Sequence, residues 1–250
     1  MHIQRNQLLS IERDAKTRKG STNGVLTGVL YLAPHNVSGF QVCPNATPGC
    51  VTVCLFTAGR GVTSPVMNGR INRTRWFFED RDTFMATIVA DIKRLVKRAA
   101  KLDMTPAVRL NGTSDIAWEK IRVTVDGAEH RNLMVAFPDL QFYDYTKILG
   151  RKSALALDNY HLTFSMAESN DADALLALGE GYNVAVVMKL RRSDPKPATW
   201  AGYPVIDGDK DDIRFYDPDD GGSIVALTAK GKARYDTSGF VRSAIIARGV

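Results

Sequence analysis

The chain has 250 residues, 44% hydrophobic and 24% charged, enough to bury a sizeable core as one large domain or two small ones. No apolar run reaches the roughly 18 residues of a membrane span, and the first two dozen residues lack an apolar stretch of signal-peptide length, so the expectation is a cytoplasmic protein with no membrane partner. A net charge of +6 and a pI near 9.2 permit an acidic partner, either nucleic acid or a small anion, without requiring one.

Residues 1–24 carry Arg13, Lys16, Arg18 and Lys19 and end in a Gly-Ser-Thr-Asn-Gly run, the composition of a basic, flexible arm. From residue 25 to 250 the pattern is that of a single α/β domain. Its first element is the apolar, β-rich run from Val25 to Leu32, ended by Pro34 and read as a buried strand. All three cysteines of the chain, Cys43, Cys50 and Cys54, follow closely upon it. Thiols scattered as small apolar core residues have no reason to cluster in this way, whereas thiolates that converge on one soft metal centre do. Pro44, Pro48 and Gly49 forbid a regular helix between the first two, and the spacing of Cys50 and Cys54 suits one face of a helical turn.

Four readings of the cysteines compete. An iron–sulfur cluster on three thiolates, [4Fe-4S] in type, leaves one iron open to an outside ligand. A structural zinc ion wants a fourth ligand, for which His35 and His161 are candidates. A disulfide leaves one thiol over and does not suit a reducing compartment, and three unconnected structural cysteines are the plainest alternative.

The segment from Thr57 to Arg81 is glycine-broken and interleaves Arg60, Arg70, Arg73 and Arg75 with Trp76, Phe77 and Phe78. That pattern fits contacts to nucleic-acid phosphates or to a small anion, and equally a surface turn plugged into the core by its aromatics. Asp82 or Thr83 is the expected cap of a helix whose stripe is Phe84, Ile88, Ile92, Leu95, Val96 and Ala99. A short strand over 107–110 then empties into Asn111, Gly112, Thr113, Ser114 and Asp115, residue types that form ligand-binding loops at strand ends, with Ser114 or Asp115 also able to cap a following helix.

The same grammar recurs. Strands expected over 140–143, 160–164, 183–188, 203–206 and 224–227 run into polar residues, among them Asp144, Lys147 and Ser165, with helix-like or loop sequence, such as Asp171 to Leu178, between several of them. Strands separated by crossovers pair in parallel, so the predicted fold is a partial or complete (β/α) barrel of mainly parallel strands, in which all those polar ends share one rim with the cysteine loop. From about residue 207 the chain is acidic and turn-rich, with Asp209, Asp211, Asp212, Asp217, Asp219 and Asp220, without a calcium-loop pattern and so read as solvated turns.

In the stretches Cys43 to Cys50, Thr57 to Gly61, Leu110 to Asp115, Tyr143 to Lys147, Tyr160 to Ser165 and Pro204 to Asp209, the sequence resembles the phage and plasmid family known as gene product 88. The likeness covers most of residues 25–241 and implies a mobile-element origin, hence residence in a host-cell cytoplasm, but brings no established activity. A second, architectural likeness is to radical S-adenosylmethionine (SAM) enzymes, in which three cysteines after the first strand hold a [4Fe-4S] cluster whose open iron chelates SAM. It implies a SAM site at Asn111, Gly112, Thr113, Ser114, Asp115, Asp144, Lys147 and Ser165. The spacing here is C-x6-C-x3-C in place of C-x3-C-x2-C, and the glycine-glycine-glutamate loop expected after the second strand is absent.

Overall fold

The apolar runs that end in polar residues are the strands of one large sheet. The computed structural model describes residues 7–11, 20–57, 59, 63–191, 193–218 and 222–244. Arg60 and most of the basic arm, including Arg13, Lys16, Arg18 and Lys19, lie outside the described residues, as do Asp219 and Asp220. The strands are β1 (Leu9–Ile11), β2 (Val25–Leu30), β3 (Thr105–Arg109), β4 (Val123–Val125), β5 (Ala128–His130), β6 (Gln141–Thr146), β7 (Tyr160–Ser165), β8 (Val184–Met188), β9 (Thr199–Trp200), β10 (Tyr203–Asp207) and β11 (Ile224–Thr228). The helices are α1 (Pro48–Thr52), α2 (Ser64–Glu79), α3 (Arg81–Lys101), α4 (Leu133–Ala136), α5 (Lys152–Leu155) and α6 (Asp171–Gly179).

The main sheet has nine strands in the order β1-β2-β3-β6-β7-β8-β11-β10-β9. Every pairing from β2 through to β10 is parallel, and only the short edge strands β1 and β9 run antiparallel to their neighbours. Neighbours therefore follow chain order from β2 to β8, which puts the carboxyl ends of all seven parallel strands on one rim. The two edges β1 and β9 do not meet, so among the described residues the sheet is open rather than a closed barrel. No helix among the described residues is long and apolar enough to cross a membrane.

Alternation along the strands separates two faces. Leu26, Leu30, Val108, Leu110, Phe142, Leu162 and Phe164 enter the main core together with the apolar stripe of α3. There Phe84, Ile88, Ile92 and Leu95 are all fully buried, each contributing about 1.5–3 kcal/mol of burial free energy. On the other face Val25, Ala107 and Tyr143 pack against Ile213 and Phe215 from the chain that links β10 to β11. Arg109 lies on that face as well, bound to Asp212 at 2.6 Å and stacked over the Tyr145 ring.

Four expectations need correction. Within the basic arm, Leu8 and Leu9 are buried and Leu9–Ile11 pairs with β2, because the buried carboxylate of Asp91 on α3 accepts the backbone N–H groups of Leu8 (2.5 Å) and Leu9 (2.9 Å). The arginine-rich stretch is no turn but the sixteen-residue helix α2, interrupted from α3 only at Asp80, whose carboxylate, in place of Asp82 or Thr83, caps α3 by accepting the Thr83 N–H. Neither Ser114 nor Asp115 opens a helix; the chain is irregular until a single 3-10 turn at Trp118–Lys120. The acidic tail is not mainly solvated: Asp212 neutralises Arg109, Asp211 and Asp217 flank the buried Arg214, and Asp209 takes both Lys196 and Lys230.

Candidate functional site on the carboxyl rim

The cysteine segment lies across the rim strand by strand. After β2 the chain turns at His35, which adopts a left-handed φ of 50°, and Val42 accepts the Asp115 N–H at 2.8 Å, fastening the segment to the loop beyond β3. Asn45 Nδ2 donates to the Lys147 carbonyl at 3.1 Å, just beyond β6. Glu168, beyond β7, accepts from Thr47 Oγ1 at 2.7 Å and from the Gly49 N–H at 2.6 Å. Val53 packs with Ala229 and Ala233, beyond β11. Local chemistry shapes the short helix that carries Cys50: Thr47 caps it by accepting the Cys50 N–H, and Pro48 occupies its first turn, where a missing donor is harmless. Gly49 is required by close approach, since a Cβ there would clash with Ser238 Oγ and stand 2.8 Å from the Glu168 carboxyl carbon.

None of the three cysteines is in a disulfide, and each is partly buried. Cys43 Sγ accepts the His35 N–H at 3.4 Å and lies 3.9 Å from the Thr113 carbonyl. Burial pushes the Cys43 thiol up to about 12, a hydrogen bond from the His35 backbone opposes this, and the neighbouring Cys54, Asp115 and Cys50 add to the rise. Cys54 is raised as well, by burial first and then by Cys50, while Lys147 and Arg70 pull it down. The three thiols thus share one neighbourhood, and the ionisation of one opposes that of the next. A thiol near 12 is a poor free nucleophile at neutral pH; a metal is what would ionise it. Among the described residues no group of three or more His, Cys, Asp or Glu side chains is gathered closely enough to hold a single metal ion. His35 is placed beside Cys43, its ring Nδ1 paired with Asn36 Oδ1. His161 stands near the start of β7, about 13 Å along the strand from the rim residue Ser165, too far to complete a site with the cysteines.

The polar strand ends do converge, yet many of them serve one another. Asp144 accepts from the Asn111 N–H (2.7 Å), from Asn111 Nδ2 (3.3 Å) and from the Tyr160 hydroxyl (2.9 Å). Asn111 Oδ1 in turn accepts from Ser114 Oγ, the Ile116 N–H and Trp118 Nε1. This network continues through Tyr160 to Arg151, which is ion-paired with Glu119. Burial drives Asp144 up to about 7 in spite of the donors, led by the Asn111 N–H, and of Arg109. Asn111, Ser114 and Asp144 are therefore the buried scaffold beneath the rim. Thr113 Oγ1 donates to the Leu32 carbonyl, and Asp115 accepts the Lys147 N–H. Gly112 packs so tightly on β2 that a Cβ would come 2.6 Å from the Leu30 carbonyl and 2.7 Å from the Tyr31 ring. Lys147 and Ser165 are bound to each other at 2.8 Å, half-buried at the rim.

The arginines of α2 largely build the approach to the cysteines. Arg73 Nε donates to the Tyr31 carbonyl and Arg75 Nε to the Ser38 carbonyl, while Thr74 accepts the Ala33 N–H, so the helix ties down residues 31–38. Glu168 is the site residue that sequence reasoning did not single out, because a lone glutamate after a strand carries no motif.

A family model described as gene product 88 matches residues 4–244. No curated protein and no solved structure matches the chain. With a match that spans both the sheet and the cysteine segment across its rim, the chain belongs to the gene product 88 family.

Proposed function

We propose that this protein binds an iron–sulfur cluster through Cys43, Cys50 and Cys54 at the mouth of a partial (β/α) barrel. The observation that carries the reading is the path of the cysteine segment, fastened in turn at the ends of β3, β6, β7 and β11, which holds three partly buried thiols over the rim. The soft thiolate donor set suits an iron–sulfur cluster, which spreads its thiolates over several irons, whereas one tetrahedral zinc draws its sulfurs to within about 4 Å of one another. A cluster held by three protein thiolates offers an open iron to an outside ligand. The protein's part is to fix the segment, by Glu168 and by the Thr47 cap, and to shield it, by burial of Cys43 and Cys54. After anaerobic reconstitution the protein is expected to be brown and to carry iron and acid-labile sulfide in equal amounts; stoichiometric zinc with neither would refute the reading.

A second reading extends the first, to SAM as the outside ligand and radical chemistry as the activity. It is favoured by the run of parallel strands in chain order with the cysteines directly after the first of them. Asp115 interacts with Cys43 and Lys147 with Cys54, Ser165 holds the Lys147 ammonium, and Asn111, Ser114 and Asp144 are buried beneath them. Its test is the electron paramagnetic resonance signal of the reduced cluster: a signal unmoved by SAM, with no 5′-deoxyadenosine formed, would leave a cluster protein of binding or sensing function.

A further inference from the structure

We propose that the two loops beyond β8 and β11 form a contact surface for single-stranded nucleic acid, with Tyr235 as a stacking platform and Lys189, Arg191, Lys232 and Arg234 as phosphate contacts. Hydrogen bonds hold the two loops together. The Ala229 N–H donates to the Met188 carbonyl at 3.2 Å, so the chain leaves both strands side by side at Lys189 and Lys230. Beyond β11 it makes a single 3-10 turn at Gly231–Tyr235 and returns to β8, where the Arg242 N–H donates to the Val187 carbonyl at 2.8 Å and the Lys189 N–H to the Arg242 carbonyl at 2.9 Å. Buried Ala233, packed with Val53 and Ala229, pins the turn, and Lys232, Arg234 and Tyr235 around it are exposed.

Tyr235 keeps 85% of its surface exposed, and among the described residues no large apolar or aromatic side chain is more exposed. In a pinned turn such a ring adds nothing to the core and is open to a stacking partner. The cations beside it are equally free of the fold: among the described residues no carboxylate pairs with Lys189, Arg191, Lys232 or Arg234, all of them exposed. The neighbouring carboxylates are engaged elsewhere, Asp209 by Lys196 and Lys230, Asp194 by the Arg191 N–H, Asp236 by Ser238 and the Val241 N–H, and Asp171 by Arg242, and the cations outnumber them. The arginines of α2 cannot serve in this way, since Arg73 and Arg75 give Nε to backbone carbonyls and Arg70 is buried. The basic residues late in α3, Lys97, Arg98 and Lys101, have no exposed aromatic on their helix and are accounted for by its C-terminal dipole. Cations that follow a backbone, with an aromatic that takes any base, are the features of sequence-tolerant single-strand binding; a duplex keeps its base faces covered. The surface adjoins the cysteine segment at Val53 but is complete without a metal, so this proposal and the cluster reading fail separately.

The test uses the full-length, reduced protein without added metal and a fluorescein-labelled oligothymidine or oligouridine of about 12 nucleotides, followed by fluorescence anisotropy. With about four phosphates neutralised, log affinity against log salt should have a slope of about −3, a loss of roughly 50-fold between about 50 and 200 mM salt. Replacing Lys232 and Arg234 together by glutamine should halve that slope. Tyr235→Ala should weaken binding at least about fivefold with the slope unchanged, and Tyr235→Phe should restore it. Lys97→Gln combined with Lys101→Gln should leave binding within about twofold. No binding at about 50 mM salt, full affinity in Tyr235→Ala, equal losses from the α3 pair, a duplex of the same length bound as tightly, or displacement of the strand by polyglutamate of equal charge, the mark of an acidic protein as partner, would each overturn the proposal.

Discussion

Replacing Glu168 with alanine should release the cysteine segment while leaving the sheet intact. Two hydrogen bonds end on this carboxylate, from Thr47 Oγ1 at 2.7 Å and from the Gly49 N–H at 2.6 Å. Burial works against the charge, but these donors prevail and hold the carboxyl below its ordinary range. Hydrogen bonds to a charged group contribute about 1.5–3 kcal/mol each when buried and less when water competes. At this half-buried position a combined loss of about 2 kcal/mol is reasonable, which corresponds to roughly 30-fold more frequent opening of the segment. The change is local because Glu168 touches residues 47–49 and the 236–239 turn, not the core. The assay is the rate of alkylation at Cys43, Cys50 and Cys54 in metal-free protein, resolved by mass spectrometry, alongside hydrogen exchange over residues 43–54. Cys50, one residue from the lost contact, should accelerate most. Unchanged alkylation at Cys50, or acceleration matched by an equal fall in global stability, would refute the role assigned to the carboxylate.

Three further outcomes follow from the same geometry. Asp144 is raised to about 7 in the folded protein, so between pH 4 and 7 the native state holds a proton that the unfolded chain has released; stability should fall by about 1.4 kcal/mol per pH unit across that window, and urea midpoints at pH 5 and pH 7.5 should differ more for the wild type than for Asp144→Asn. Gly112→Ala drives a methyl group into the Leu30 carbonyl and the Tyr31 ring, and should lower unfolding free energy by about 1–3 kcal/mol, measured by urea melts. Cys43→Ser, Cys50→Ser and Cys54→Ser should each cut reconstituted iron by at least about half without unfolding the sheet, because all three lie outside the main core; iron content unaffected by any one of them removes that residue from the ligand set.

The strands were legible because burial on both faces of a parallel sheet writes itself as continuous apolar runs, and the runs from Val25, Ala107, Tyr160, Asn183, Tyr203 and Ile224 fall on strands with shifts of only a residue or two. Helix α3 announced itself by its stripe. Helix α2 did not: Gly69 and its arginines blur the period, since Arg70 points inward where an apolar residue is expected. The β4–β5 hairpin was missed although Asp126-Gly127, with φ of 51° and 82°, is the dipeptide that such turns favour. At the rim, sequence brought the right residues together but could not divide those that face one another from those left for a ligand. Asn111 and Asp144 look alike in sequence to a binding pair, and only the geometry shows each satisfying the other. The arginines show the reverse, with Arg73 and Arg75 holding backbone and Arg70 alone buried without an acceptor.

Three-thiolate ligation of a cluster on the carboxyl rim is tested by Mössbauer spectroscopy of the protein reconstituted anaerobically with iron-57 and sulfide. The expected result is a [4Fe-4S] spectrum in which one iron in four is distinct, the site without a protein thiolate, and changes on adding an outside ligand. Protein that takes up zinc at one equivalent and no iron, or iron with four equivalent thiolate-ligated sites, would contradict it.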